Sequence, residues 1–229
     1  MKAVAYCATR NLYSNMAVCV RSVLKNGNID KVYLLIEDDI FPYDLGGKVQ
    51  SVNVSGQTYF PPDGINYNCE WTYMALMKCA LSKVFPRLDR IIVLDCDTIV
   101  SGDLSRLWDI DMTDYYYAAV PQISTTVPYV FACQKDVTYI NAGLLMCNLK
   151  KLRKDKKDDE IISAINSKKY RWVEQDCISD LCRGTILPLK SRYNSCAFTP
   201  TDMDVVVRHF AAQDNWRNTV FARSYEIDG

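Results

Sequence analysis

Residues 91–108, IIVLDCDTIVSGDLSRLW, bring four apolar residues directly up to two carboxylates that flank a single cysteine. The run 91–94 is short, rich in branched aliphatic side chains and bounded by polar residues, which is the pattern of a buried strand. A buried carboxylate is costly unless something pairs with it. Asp95 and Asp97, at the end of this strand, therefore predict a bound cation.

The rest of the first half predicts alternating strands and helices. Strands are predicted at residues 2–9 (KAVAYCAT), 31–37 (KVYLLIE), 48–55 (KVQSVNVS) and 90–94, and helices at residues 13–25, ended by Asn26 and Gly27, and 71–84, ended near Pro86. This order predicts an α/β fold with a mostly parallel sheet and helices on its faces. Ligands of such sheets bind beyond the carboxyl ends of the strands, where Asp95 and Asp97 lie.

The second half is predicted to continue the same domain. TYINAGLLMCNL, from Thr138, is a mostly apolar strand entered through an Asn-Ala-Gly turn. Residues 150–170 are predicted to form one helix whose charged side chains face solvent and pair locally. Because no repeat, low-complexity tract or Pro/Gly-rich linker divides the chain, we expect one domain over residues 1–229.

Composition narrows the class of protein. The 27 basic and 27 acidic residues balance, so nothing argues for a nucleic-acid partner. No apolar stretch approaches the length of a membrane span, and polar residues interrupt the N-terminal apolar run too early for a signal peptide. The ten cysteines are scattered without a CxxC pair, which excludes a zinc ribbon. We expect buried free thiols in a cytoplasmic protein.

The only histidine strengthens the prediction of a cation site. In an extended segment Asp95 and Asp97 project to the same side, and two carboxylates suit Mg²⁺ or Mn²⁺. His209 follows the apolar run 205–207, and an imidazole ligand favours Mn²⁺ over Mg²⁺. Together the three would form an O,O,N site with open positions for a diphosphate. Two alternatives stay open: the carboxylates cap a following turn, or His209 is a hydrogen-bonded structural residue.

Five blocks of this sequence, in this order, resemble those of glycosyltransferase family 8, which includes glycogenin, galactinol synthases and bacterial lipooligosaccharide galactosyltransferases. They are CATRNLYSNMAVCVRSVLKN, DRIIVLDCDTIVSGDLSRLWDIDM, INAGLLMCNLKKLR, EQDCIS and RHFAAQDNW. The resemblance implies a GT-A type fold with a Rossmann-like, mostly parallel mixed sheet. It further implies a nucleotide-binding part at about residues 1–110 and a sugar and acceptor part at about residues 111–229.

The resemblance also implies a role for individual residues. Asp95, Asp97 and His209 would hold Mn²⁺ against the two phosphates of a UDP-sugar, with Cys96 between the carboxylates. Further donor contacts are implied for Ala8, Thr9, Asn11 and Tyr13 at uracil and ribose, for Lys78 at the sugar or phosphates, and for Asn141, Ala142 and Gly143 at the sugar. Glu174, Gln175 and Asp176 correspond to the catalytic block. Whether Gln175 acts as a nucleophile or stabilises positive charge during same-face substitution stays open.

Two departures from the family pattern concern the donor site. Glu174 stands where an Asp usually precedes the Gln, so its carboxylate reaches one methylene further. Relatives usually have a Gly and then a phosphate-binding Lys between the late His and the Trp, and Asn215 lies near the Lys position. Arg208 and Arg217 are the guanidinium groups that could replace this Lys.

The sequence thus predicts a retaining hexosyltransferase that uses Mn²⁺, or alternatively Mg²⁺, and transfers glucose or galactose from UDP-glucose or UDP-galactose. The acceptor is a glycan, a protein or a small molecule, and a homodimer is compatible with the sequence. One alternative is a degenerate nucleotide-sugar-binding protein with little transferase activity. A weaker one is a sugar nucleotidyltransferase, which would carry a Gly-rich phosphate loop that CATRNLYSN lacks.

Overall fold

The computed structural model describes residues 1–68, 71–134 and 136–226, and within them the strands form two sheets. The larger sheet contains β1 (Ala3–Cys7), β2 (Lys31–Ile36), β3 (Val49–Asn53), β4 (Arg90–Leu94), β6 (Tyr117–Pro121), β7 (Ile140–Asn148) and β8 (Ile186–Pro188). The smaller sheet pairs β5 (Thr98–Val100) with β9 (Val207–His209).

The helices are α1 (Tyr13–Asn26), α2 (Thr72–Leu76), α3 (Leu81–Val84), α4 (Tyr129–Ala132), α5 (Leu149–Lys154), α6 (Lys157–Ser167), α7 (Val173–Leu181) and α8 (Val220–Arg223). Short 3₁₀ turns cover Arg10–Leu12, Met77–Cys79, Ser105–Asp109, Ser124–Thr126, Ser191–Tyr193 and Trp216–Asn218.

The strand order of the large sheet is β3-β2-β1-β4-β7-β6-β8. The first four strands are parallel, β7 runs antiparallel to β4 and β6, and β8 is parallel to β6. The predicted α/β fold with a mostly parallel, mixed sheet is confirmed. The sequence of β4 is continuously apolar because both faces of the strand are buried. Ile92 and Leu94 pack with α1 on one face, and Ile91 and Val93 pack with the later helices on the other.

Three predicted elements were wrong in detail. The helix expected over 71–84 is broken into α2, a 3₁₀ turn and α3, and the tighter turn contains the inward-pointing Lys78. The helix expected over 150–170 is divided because Lys156 adopts a left-handed conformation (φ 55°), which ends α5 before α6 begins. The expected Asn-Ala-Gly turn lies inside β7, where all three residues are buried.

The described cysteines are free, and five of them (Cys19, Cys79, Cys147, Cys177 and Cys182) are buried. This confirms free thiols for that part of the chain, but the predicted burial is not general, since Cys133 is exposed; Cys69 lies outside the described residues. No helix in the described ranges combines the length and apolar character that crossing a bilayer requires.

Candidate metal and donor site

The small sheet brings the distant histidine to the two aspartates. Asp95 and Asp97 follow β4, and in the β5–β9 pair Thr98 lies opposite His209. The backbone N–H of Phe210 donates to the carbonyl of Asp97 at 2.9 Å, which holds the two segments together. One ligand atom from each of Asp95, Asp97 and His209 lies within 4.8 Å of the others.

The imidazole of His209 is oriented by two amides. Its Nδ1 lies 3.1 Å from Asn141 Oδ1 and 3.0 Å from Asn194 Oδ1. The amide of Asn141 is itself fixed, since its Oδ1 accepts from Asn194 Nδ2 at 2.7 Å and from Gly143 N at 3.1 Å. Because both partners of Nδ1 are acceptors, Nδ1 carries a proton.

The other imidazole nitrogen faces the carboxylates. Nε2 of His209 lies 3.2 Å from Asp97 Oδ1 and 3.7 Å from Asp95 Oδ2. Asp97 Oδ1 is buried and receives no hydrogen bond from a neutral imidazole of this tautomer. A cation between Nε2 and the carboxylates satisfies all three groups, and two carboxylates with one imidazole suit Mn²⁺. The residues present therefore fit a divalent metal.

The same electrostatics affect the protons of this cluster. Burial disfavours an imidazolium, but the charge of Asp97 and a hydrogen bond to it outweigh burial and raise the pKa of His209 to about 10. Burial works against ionisation of Asp97, yet His209 keeps the pKa of this carboxyl below its ordinary value. A proton and a divalent cation therefore compete for the position beside Nε2.

We expect Asn194 to support metal binding by holding the tautomer of His209. Replacing Asn194 by Leu removes an acceptor for Nδ1–H and should weaken Mn²⁺ binding roughly tenfold, the lower end of the effect of an outer-shell partner. Mn²⁺ titration followed by EPR measures this. Asn194→Asp keeps an acceptor and should bind more tightly than Asn194→Leu; equal affinities would contradict the role of the acceptor.

Lys78 connects Asp95 to Glu174 of helix α7. Its side chain is only 5% exposed, and Nζ lies 2.5 Å from Asp95 Oδ1, 3.0 Å from Glu174 Oε1 and 3.2 Å from the carbonyl of Ala142. Burial disfavours its ammonium, but the two carboxylates hold the pKa of Lys78 above its ordinary value. Burial raises the pKa of Glu174. The amine therefore stays charged beside the proposed donor site.

Gln175 is held at both ends of its amide. Oε1 accepts from the backbone N–H of Ala142 at 3.0 Å, and Nε2 donates to the hydroxyl of Tyr139 at 3.1 Å. Tyr139 in turn donates to Asp176 Oδ1 at 2.6 Å. The amide of Gln175 is thus fixed in position by Ala142 in β7 and by Tyr139, the residue before β7.

Asp176 has a different environment from its two neighbours. Its Oδ2 accepts from the backbone N–H groups of Arg171 and Trp172, at 3.0 Å each, at the start of α7. Together with the bond from Tyr139, these contacts occupy its carboxylate. Asp176 fixes the two residues that lead into α7 and orients Tyr139.

A cavity of about 550 Å³ lies over these groups. The predicted site residues that line it are Ala8, Thr9, Lys78, Asp95, Cys96, Asp97, Asn141, Ala142, Gly143, Glu174, Gln175 and His209. Asn11, Tyr13 and Asp176 are not among its lining residues. Twelve of the fifteen predicted site residues thus line one cavity.

Asn11 and Tyr13 contact neighbouring side chains. Asn11 Oδ1 accepts from the hydroxyl of Thr9 at 2.5 Å. Tyr13 is buried, donates to Asp38 Oδ2 at 3.0 Å, and has its ring centroid 5.3 Å from that of Phe41. Tyr13 lines a second cavity of about 400 Å³, together with Arg10, Asp38 and Pro42.

Comparison with known proteins identifies the family. Residues 3–210 match the family model described as "Glycosyl transferase family 8". The chain belongs to glycosyltransferase family 8. It is 32% identical over 154 residues to a Haemophilus influenzae protein named as a candidate glycosyltransferase, covering 63% of this chain and 44% of that protein.

Two further comparisons agree with a glycosyltransferase. The lipopolysaccharide 1,2-glucosyltransferase of Escherichia coli K12 is 28% identical over 114 residues, covering 47% of this chain and 34% of that protein. The chain thus spans a third to a half of the length of these two relatives. The crystal structure of the galactosyltransferase LgtC with donor and acceptor sugar analogues superposes with a TM-score of 0.72 at 21% identity, covering 99% of this chain and 97% of that one. This likeness confirms the GT-A-like fold.

Both guanidinium groups that could replace the usual lysine contact other side chains in this structure. Arg217 pairs with Glu226 and donates from Nη1 to Ser14 Oγ at 3.2 Å. The guanidinium of Arg208 lies 4.1 Å from the ring centroid of Phe221. Neither lines the cavity, and among the described lining residues Lys78 is the only Lys or Arg.

Ala212 has a left-handed backbone conformation, with a φ of 61°. A left-handed non-glycine residue costs about 1–2 kcal/mol, while glycine loses about 0.5–1 kcal/mol of entropy. Ala212→Gly should therefore stabilise the fold by about 0.5–1 kcal/mol. Calorimetry without nucleotide should show a melting temperature about 1–4 °C higher. Ala211→Gly, whose φ is not positive, should lower it; equal shifts would contradict local strain.

Sequence reasoning missed several residues at the site. Tyr139 and Asn194 carry no local signal, because their roles depend on contacts with Gln175 and His209 far along the chain. Trp71 and Trp172 line the cavity. Their proximity to Lys78 and Glu174 in the sequence was the only available clue.

Proposed function

We propose that this chain is a Mn²⁺-dependent retaining hexosyltransferase that takes glucose or galactose from UDP-glucose or UDP-galactose. The observation that carries the proposal is the convergence of Asp95, Asp97 and the Nε2 of His209 on the wall of one cavity. The family assignment and the names of the glucosyl- and galactosyltransferase relatives support the hexose.

In this proposal Asp95, Asp97 and His209 would hold the metal. A divalent cation bound there supplies positive charge that stabilises a departing diphosphate. Lys78 adds a buried, charged donor beside Asp95, at the same wall of the cavity. It is oriented by Glu174 and the carbonyl of Ala142, so little reorganisation is needed during the reaction.

The contacts of Gln175 and Glu174 favour same-face substitution over a covalent intermediate. An amide oxygen is a weak nucleophile, and one lone pair of Gln175 Oε1 already accepts the N–H of Ala142. The carboxylate of Glu174 is paired with Lys78 at 3.0 Å, which weakens it as a nucleophile. The fixed carbonyl of Gln175 is instead suited to stabilise positive charge that develops on the sugar ring.

Release of UDP from purified donors tests this function. UDP-glucose and UDP-galactose are incubated separately with the chain and Mn²⁺, Mg²⁺ or EDTA, first with water alone and then with added sugars. We expect UDP release with Mn²⁺, weaker release with Mg²⁺ and none with EDTA. Release that is unchanged by EDTA would overturn the metal-dependent mechanism.

The second candidate is a nucleotide-sugar-binding protein with little transferase activity. It is favoured by the lack of any lining Lys or Arg other than Lys78 in the described part of the cavity. A thermal shift with a UDP-sugar and Mn²⁺ reports binding, because a ligand of the native state raises the melting temperature. A shift without UDP release would favour this candidate.

A further inference from the structure

Two tryptophans form an exposed aromatic surface inside the cavity. Trp71 is 45% exposed and Trp172 is half-buried, and both line the 550 Å³ space. Their ring centroids lie 5.9 Å apart with the planes inclined by 32°. Large aromatic side chains normally supply buried area, so two that remain open to a cavity point to a ligand that covers them.

The positions of these rings are fixed by the elements that carry the proposed donor-sugar contacts. Trp172 immediately precedes α7, and its backbone N–H donates to Asp176 at 3.0 Å, two residues before Glu174. Trp71 immediately precedes α2, seven residues before Lys78. The pair therefore adjoins the side of the cavity where Lys78 and Glu174 meet, whereas Ala8 and Thr9 come from the carboxyl end of β1.

The chemistry of the surface fits the face of a pyranose ring. The axial C–H groups of a pyranose give it an apolar face that stacks on indole, while its hydroxyl groups point outward from the ring edge. Polar groups accompany the indoles: the exposed guanidinium of Arg171 lies over the Trp172 ring, 5.4 Å from its centroid, and Gln122 and Thr126 line the same cavity. Such a combination of apolar faces and a few polar groups is typical of a small-ligand site.

We propose that Trp71 and Trp172 bind the terminal pyranose ring of a glycan acceptor by stacking, so that the acceptor is a carbohydrate. This inference rests on the proposed transferase function, because it assigns the second substrate of the same cavity. It selects a glycan over a protein side chain or an acyclic small molecule.

Saturation-transfer-difference NMR tests the stacking directly. The probes are methyl β-D-glucopyranoside and methyl β-D-galactopyranoside, each with and without UDP and Mn²⁺; glycerol and a tyrosine-containing peptide serve as comparison ligands. We expect a glycoside signal that is strongest for the ring protons of one face. Trp172→Ala and Trp71→Ala should each weaken binding by about tenfold, the size of effect that loss of one stacking ring produces.

Two further variants make the comparison specific. Trp172→Phe keeps an aromatic face and should retain most of the affinity lost in Trp172→Ala. Tyr129→Ala removes an aromatic ring that is 84% exposed and does not line the cavity, and should bind the glycosides like the unaltered chain. Circular dichroism of each variant verifies that the fold is retained.

The acceptor proposal is overturned if neither glycoside binds the unaltered chain, if both alanine variants bind as well as it does, or if the peptide binds in preference to the glycosides. If the tryptophan-to-alanine variants lose UDP binding and no glycoside signal is seen, the indoles contact the uracil base of UDP. That result would also overturn the acceptor proposal. Release of UDP from UDP-sugars by the unaltered chain is measured separately, so this proposal and the proposed transferase function can fail independently.

Discussion

Replacing Asp97 by Asn is expected to lower kcat/KM for UDP-hexose by on the order of 10³-fold, comparable with removal of a central electrostatic group from an active site. Asp97 Oδ1 lies 3.2 Å from His209 Nε2 and is buried. A neutral amide of the same shape removes one of the two negative charges that attract the cation, so that Asp95 is the one carboxylate left in the cluster. UDP release and Mn²⁺ titration by EPR should both detect the loss, so the effect does not depend on activity alone.

Asp109→Asn is the matched control for this change. Asp109 is exposed and does not line the cavity, so the same loss of one charge should leave Mn²⁺ affinity and UDP release as in the unaltered chain. If Asp97→Asn bound Mn²⁺ and released UDP normally, the cluster of Asp95, Asp97 and His209 would not be the metal site. Equal losses in both variants would instead indicate a general effect of charge.

The sequence predicted the centre of the fold because its signals there are local. The unbroken apolar run of β4 indicates burial on both faces, and its position before Asp95 places two carboxylates at the carboxyl end of a parallel strand. Lys78 came from the family resemblance and His209 from its place as the only histidine after an apolar run, and the structure brings both to this point.

Other features of the site depend on contacts that no local pattern records. The pairing of β5 with β9 joins segments about a hundred residues apart, and it decides where His209 lies. Asn194 contacts His209 from the position after the 3₁₀ turn Ser191–Tyr193, whose sequence gives no indication of a role at a metal site. The breaks at Met77–Cys79 and Lys156 likewise reflect packing that overrides helical spacing.

For polar residues at the start of a helix, the sequence alone likewise does not decide the role of each residue. Glu174, Gln175 and Asp176 are equally suited by sequence to cap α7 or to contact a substrate. Only their contacts separate the roles: Asp176 accepts the N–H groups of Arg171 and Trp172, while Glu174 and Gln175 line the cavity. The predicted contact of Tyr13 with uracil and ribose stays a prediction; the centroid of its ring lies 5.3 Å from that of Phe41.

Gly143→Ala should disable metal binding by displacing the histidine. A Cβ at Gly143 would lie 2.2 Å from His209 Nδ1, 2.4 Å from its Cε1 and 2.9 Å from Asn194 Oδ1. The ring has little room to yield, because it is buried and both amide oxygens hold Nδ1. We expect Mn²⁺ affinity to fall about 100-fold and the free energy of unfolding to fall by about 1–3 kcal/mol, as for other overpacked positions.

Gly56→Ala separates these effects from a general cost of replacing glycine. A Cβ at Gly56 meets nothing within 4 Å, and its φ is not positive, so the variant should keep Mn²⁺ affinity and stability. Isothermal titration with Mn²⁺ and urea unfolding measure the two quantities separately. If Gly143→Ala lost stability but bound Mn²⁺ normally, the expectation would be wrong. Metal binding would then not depend on the present position of the His209 imidazole against β7. Loss of both, with Gly56→Ala unaffected, is the result that close packing of the ring on this strand requires.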